Sequence, residues 1–136
     1  MRFMMIVKAS KESETDVLPD EKVLADMAKY NEELVRAGVL LDLSGLKPSS
    51  KGARIKYSGS TRTVVDGPFA EAKELIAGFW IIQVKSKEEA IEWAKRVPFQ
   101  EGEVELRPFY ELEDFTPGPA VEHHRRVGEE LGKQKA

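Results

Sequence analysis

The stretch Ala77-Gly-Phe-Trp-Ile-Ile-Gln-Val84 constrains the fold more than any other part of the chain. Phe79, Ile81 and Gln83 share one parity, while Trp80, Ile82 and Val84 share the other. A strand that is apolar on both faces belongs in the middle of a sheet, with something packed on each side. Arg2–Lys8, dense in Met, Phe, Ile and Val on both parities, reads the same way. Two central strands far apart in the chain predict one sheet. What lies beside it, and what covers it, follows from the segments between.

After a polar loop at Lys8–Pro19, the run Pro19-Asp20-Glu21 predicts a helix start, acidic as the N-terminal dipole prefers. Val23, Met27, Tyr30, Leu34 and Ala37 then form one apolar stripe at helical spacing. Gly38 stands where a left-handed cap is wanted, and Val39–Leu43 predicts a strand straight after it. Beyond the turn-rich Ser44–Gly52, the segments Arg54–Tyr57 and Thr61–Val65 flank Ser58-Gly59-Ser60 as a hairpin. It reads as a polar insertion at the edge of the sheet. Asp66-Gly67-Pro68-Phe69 closes it with turn chemistry: Asp accepts backbone N–H groups, Gly permits positive φ and Pro pre-sets φ. Phe69 would anchor that turn to the core. Past the central strand, Ser86 and Glu89 predict a capping box, with Ala90, Ile91, Ala94 and Val97 facing the core until Pro98 ends the helix. Glu103–Arg107 alternates, so Val104 and Leu106 face inward while Glu105 and Arg107 face the other way.

The order is strand, helix, strand, hairpin, strand, helix, strand. With the hairpin set aside this is an α+β, ferredoxin-like βαββαβ pattern with an inserted β-hairpin. The reading gives one domain over residues 1–110 and, over 111–136, an acidic linker and a helical tail broken at Thr116-Pro-Gly-Pro-Ala120. Both helices cover one face of the sheet. The other face keeps its apolar side chains and needs a partner, most simply a second copy across a two-fold axis. The expected assembly is a dimeric α/β barrel with a cavity between the sheets.

Composition removes several classes of function. At 136 residues the chain builds a single core. Its formal charge of -3, with both signs interspersed, argues against direct binding of nucleic acid. Without cysteine, disulfides, thiolate chemistry and Cys-ligated metals are excluded. The longest apolar runs, Phe3–Val7 and Phe79–Ile82, are too short to span a membrane or serve as a signal sequence, so the chain is read as cytoplasmic. Gly59, Gly67 and Gly78 lack nucleotide-fingerprint spacing. His123 and His124, adjacent on a helix, project about 100° apart and cannot easily share an ion. No cofactor and no metal are expected.

The string Asp66-Gly-Pro-Phe-Ala-Glu-Ala-Lys-Glu74, followed by Gly78-Phe-Trp-Ile-Ile, Glu88-Glu-Ala-Ile-Glu-Trp-Ala94 and Glu105-Leu-Arg-Pro108, resembles the YCII-related, or DGPF-domain, family. The similarity runs from Met1 to about Pro108 and leaves the tail outside. It implies a ferredoxin-like dimeric α+β barrel and no particular reaction. Some members carry a His in the first helix and an Asp beside the Pro ending the second, suggested as a catalytic pair. Here Tyr30 and Asn31 occupy the middle of that helix and Val97 precedes Pro98, so the pair is not carried over. Some DGPF-type proteins are associated with alternative sigma factors, which makes such a factor a conceivable partner.

Asp66, Glu71, Lys73 and Glu74 form a charged cluster of the kind acid–base work requires. In the plainer reading Asp66 serves the turn and the others are solvated. Arg107 and Glu105 either clamp a small acid on the cavity side or form an ion pair. Tyr30 is a proton handler in one reading and a core residue in the other. Trp80 and Phe79 are expected in the dimer core. The chain thus reads as a homodimer binding a small organic molecule through Asp66, Phe69, Lys73 and Arg107. As alternatives it is a cofactor-independent acid–base enzyme acting on a small organic acid or aromatic through Asp66, Lys73 or Tyr30, or a transcription accessory.

Overall fold

A computed structural model describes residues 1–135. Six strands and three α-helices follow one another in the order β1 (Arg2–Lys8), α1 (Glu21–Arg36), β2 (Leu40–Gly45), β3 (Ala53–Ser58), β4 (Thr61–Asp66), β5 (Ile76–Gln83), α2 (Lys87–Lys95), β6 (Val104–Pro108) and α3 (Pro119–Lys135). Single 3-10 turns lie at Ser49–Lys51, Ala72–Glu74 and Leu112–Asp114. The main sheet has the order β2-β5-β1-β6 with antiparallel neighbours throughout, which is ferredoxin-like topology. β5 and β1, the two strands apolar on both faces, occupy its middle.

The helices begin where the sequence supplies acceptors. The Asp20 side chain accepts from Val23 N at 3.0 Å, and Ser86 Oγ accepts from Glu89 N at 3.1 Å. The capping box at Ser86 is only half formed, because Glu89 Oε1 takes a long bond from Lys85 N instead of Ser86 N. Gly38, at φ +73, ends α1 in the left-handed region that favours glycine.

One face of the sheet meets α1 and α2. Phe3 and Met5 of β1, Trp80 and Ile82 of β5 and the following Val84 pack there against Tyr30, Leu34, Ala90 and Val97. Val104, Leu106 and Trp93 pack around this core. Each fully buried side chain of Leu or Phe size contributes about 1.5–3 kcal/mol, so this layer holds the fold. The helix stripe is shorter than its periodicity predicts. Tyr30 and Leu34 are buried and Met27 half-buried, but Val23 and Ala37 at its ends are exposed.

Two expectations about aromatic residues and the hairpin are corrected. Trp80 belongs to the protomer's own core: its ring meets Tyr30 edge-on at 5.5 Å, and its indole N–H donates to Asn31 Oδ1 at 2.8 Å. It is therefore unavailable to a dimer interface, whereas Phe79 points to the opposite face. The hairpin does not extend the main sheet. β3 and β4 pair only with each other in a separate two-stranded sheet.

Candidate functional site

Antiparallel pairing sets side chains opposite one another on the same face. The register therefore lays two rows across the helix-free side of the sheet. One row reads Asp42, Ile81, Met4, Arg107, and the next reads Ser44, Phe79, Ile6, Glu105. In each row the two central residues are apolar and the two edge residues polar. The four apolar side chains are all partly exposed to solvent in the protomer. With strands about 4.8 Å apart, each row spans roughly 14 Å, enough for a bicyclic organic molecule.

The β6 edge offers both signs of charge at close quarters, and the β2 edge a carboxylate. Arg107 Nη1 lies 3.6 Å from Glu105 Oε2, with the Arg107 side chain 71% exposed. Such a pair contributes little stability, so the guanidinium can turn to another anion at small cost. On the other edge, Asp42 Oδ1 accepts from Leu43 N at 2.8 Å, and its second carboxylate oxygen remains. Sequence reading missed Asp42 and Ser44. Simple alternation puts Asp42 on the same face as Leu40, but a register shift between Leu40 and Asp42 turns it to the open side. No signal in the residues themselves marks that bulge.

The remaining candidates stand elsewhere. Asp66 at the end of β4, Phe69 just beyond it and Lys73 in the 3-10 turn lie on the connection entering β5 at Ile76, opposite Lys8. Arg107 is opposite Met4, four residues down β1, or roughly 13 Å along the strand. These residues therefore do not converge on one point. Lys73, Glu71 and Glu74 are exposed. Tyr30 is on the wrong side of the sheet for any role at the open face. It is 4% exposed, and its hydroxyl donates to Trp93 O at 2.7 Å. Burial pushes its pKa well above the ordinary tyrosine value, with Arg96 lowering and Glu33 raising it to lesser extents. A phenol so placed is a core hydrogen-bond donor rather than an acid that cycles at neutral pH.

The turn at Asp66–Phe69 is held by partners other than those its residue types suggest. Asp66 is exposed, and among the described residues its carboxylate accepts no hydrogen bond. The turn is gripped by Ser49, whose Oγ accepts from Phe69 N at 3.0 Å and donates to the Glu14 carboxylate. The same carboxylate accepts from Ser49 N at 3.1 Å. Gly67 N donates to Gly52 O at 3.1 Å. The Gly67–Pro68 peptide is cis, and Gly67 does not adopt positive φ. Its lack of a side chain serves contact instead, since a Cβ there would lie 1.8 Å from Ser49 O. Phe69 is not a core anchor: its ring lies beneath the Arg54 guanidinium at 3.8 Å. Glu14 and Ser49 sat in polar stretches with no periodicity, so nothing in the sequence joined them to the turn.

Among the described residues, no group of three or more His, Cys, Asp and Glu side chains is placed to hold a metal ion. His123 and His124 are exposed on α3. Among the described residues, no helix is long and apolar enough to cross a membrane. A family model described as YCII-related domain matches residues 1–113. An uncharacterised protein of Rhizobium meliloti (strain 1021) is 35% identical over 102 residues, covering 73% of this chain and 80% of that protein.

Proposed function

The chain belongs to the YCII-related domain family, and from that premise we propose that it works as a homodimer holding a small organic acid or aromatic between two facing sheets. The observation that carries this reading is the polar-apolar-apolar-polar order of the two rows on the uncovered face. Met4, Ile6 and Ile81 supply an apolar floor, and Phe79 adds a ring on which an aromatic can stack. Arg107 supplies the cation for a carboxylate. Asp66 and Lys73, at the end of the sheet, stand where the chamber would open. Binding is favoured over turnover because these charged groups stand apart instead of meeting at a reacting atom.

A thermal-shift screen of small carboxylic acids and neutral aromatics tests the proposal. A ligand at a hundred times its dissociation constant stabilises by about 2.7 kcal/mol and raises Tm by several degrees. Arg107→Ala is expected to weaken acids about ten-fold while leaving neutral aromatics unchanged. A dimeric protein whose Tm responds to neither class would sink the reading.

A further inference from the structure

The β3–β4 hairpin is the least integrated part of the fold. Its strands pair only with each other, and one of its faces exposes Ile55, Tyr57 and Val64. Tyr57 is 71% and Val64 65% exposed. Residues 47–65 carry five basic side chains and no acidic one in a chain whose formal charge is -3. Lys51 has a long contact to Asp16 at 3.9 Å, while Arg54, Lys56 and Arg62 have no carboxylate partner among the described residues.

The opposite edge of the sheet is its complement. Residues 101–114 carry six acidic side chains and one basic. Among the described residues β6 bonds to β1 alone, which leaves its outer edge unpaired. Between β6 and α2 runs a shallow groove of mixed character, where Ile91, Phe99, Val104 and Leu106 lie with Glu103 and Lys95. The hairpin face that carries Ile55, Tyr57 and Val64 also carries Arg62, opposite and stacked on Tyr57, whereas Arg54 and Lys56 point to the other face. Its apolar side chains suit the apolar part of the groove, and Arg62 suits the acidic rim.

The two surfaces cannot easily meet within one chain. The hairpin is inserted between β2 and β5, whereas β6 lies beyond β5 and β1. A two-fold axis running along the strands between two facing sheets brings them together. That rotation sets the β2 edge of each copy over the β6 edge of the other without exchanging the ends of the strands. The hairpin leaves the sheet at the end marked by Gly45 and Ile76, and Glu103 lies at that same end, where its carbonyl accepts from Lys8 N at 3.0 Å. The groove opens on the helix side of the partner's sheet, so the arm has to cross the gap of about 10 Å between the sheets and continue past the β6 edge, within the roughly 20 Å reach of six-residue strands.

We propose that the β3–β4 hairpin is an arm that clasps the acidic β6 edge of a second copy of the chain, placing Ile55, Tyr57 and Val64 in the groove beside α2 and Arg62, on the same face, against Glu101 and Glu103. The proposal rests on the sheet-to-sheet dimer and gives that dimer a fixed orientation and a salt-sensitive component.

The absence of native cysteine makes the test direct. Tyr57→Cys and Glu103→Cys are introduced on separate, co-expressed chains, which are then oxidised mildly and run on a non-reducing gel. A cross-linked dimer is expected from the mixed chains and far less from either alone. In parallel, Arg62→Glu is expected to raise the dimer dissociation constant at least ten-fold at low salt, and Lys56→Glu, on the other face, to change it far less. Mixing the Arg62→Glu variant with Glu101→Lys plus Glu103→Lys is expected to restore association. If sedimentation shows a dimer but no mixed cross-link forms and charge reversal changes nothing, the arm is wrong and the facing-sheet reading survives. If the chain sediments as a monomer of 15.3 kDa, both fall. If the arm's charges instead bind a DNA duplex, with dimerisation indifferent to their reversal, the arm proposal is likewise overturned.

Discussion

Tyr30 shows how one side chain can be read as chemistry and turn out to be architecture. Its ring meets Trp80, its hydroxyl satisfies Trp93 O, and its neighbours leave it 4% exposed. Its folded pKa is raised by burial above the unfolded value of about 10. The phenol is protonated in both states at neutral pH, so its full contribution is present there. Once pH rises past about 10 the unfolded chain ionises first, and stability falls by about 1.4 kcal/mol per pH unit until the folded phenol also ionises. Tyr30→Phe is expected to cost about 1 kcal/mol at pH 8 through the lost hydrogen bond. By pH 11 the gap to wild type should close or reverse, because the phenylalanine has no proton to lose. Urea midpoints across pH 8–11 measure this. A constant gap would mean that Tyr30 is hydrated and free to ionise.

At the scale of elements, the junction of three connections matters more than the motif that draws the eye. Glu14 lies between β1 and α1, Ser49 between β2 and β3, and Phe69 between β4 and β5. One hydroxyl joins all three. Ser49→Ala would leave Phe69 N–H and part of the Glu14 carboxylate without their partner, at a cost of about 1–3 kcal/mol. Asp66→Ala should cost under about 0.5 kcal/mol, as exposed substitutions usually do. Chemical denaturation of the two variants gives the order, and a larger loss at Asp66 would restore the Asx-turn reading. The strands and helices themselves were legible, because two-sided apolar runs, a helical stripe and a capping serine each leave a local pattern. The junction was not, since a contact between Glu14 and Ser49 depends on tertiary placement and has no period. The bulge that brings Asp42 to the open face is hidden for the same reason: one extra residue reverses the parity on which strand reading depends.

At the scale of the whole molecule, the two faces of the main sheet are unequally covered. α1 and α2 cover one side of the sheet, while Met4, Ile6, Phe79 and Ile81 on the other stay partly open. Ile6→Lys separates the two explanations for that surface. Within the protomer the new ammonium lies opposite Glu105 and beside solvent, so the fold should tolerate it. Between two facing sheets the same charge would be buried against apolar side chains, where desolvation costs several kcal/mol. Light scattering should therefore find wild type at twice 15.3 kDa and the variant near the single-chain mass, with circular dichroism unchanged. Met5→Ala on the helix side is the contrast. It should lower stability by about 2–5 kcal/mol and leave the association of the folded chain intact. Were Ile6→Lys to remain as dimeric as wild type, the open face would not be where the copies meet, and both the chamber and its ligand would lose their footing.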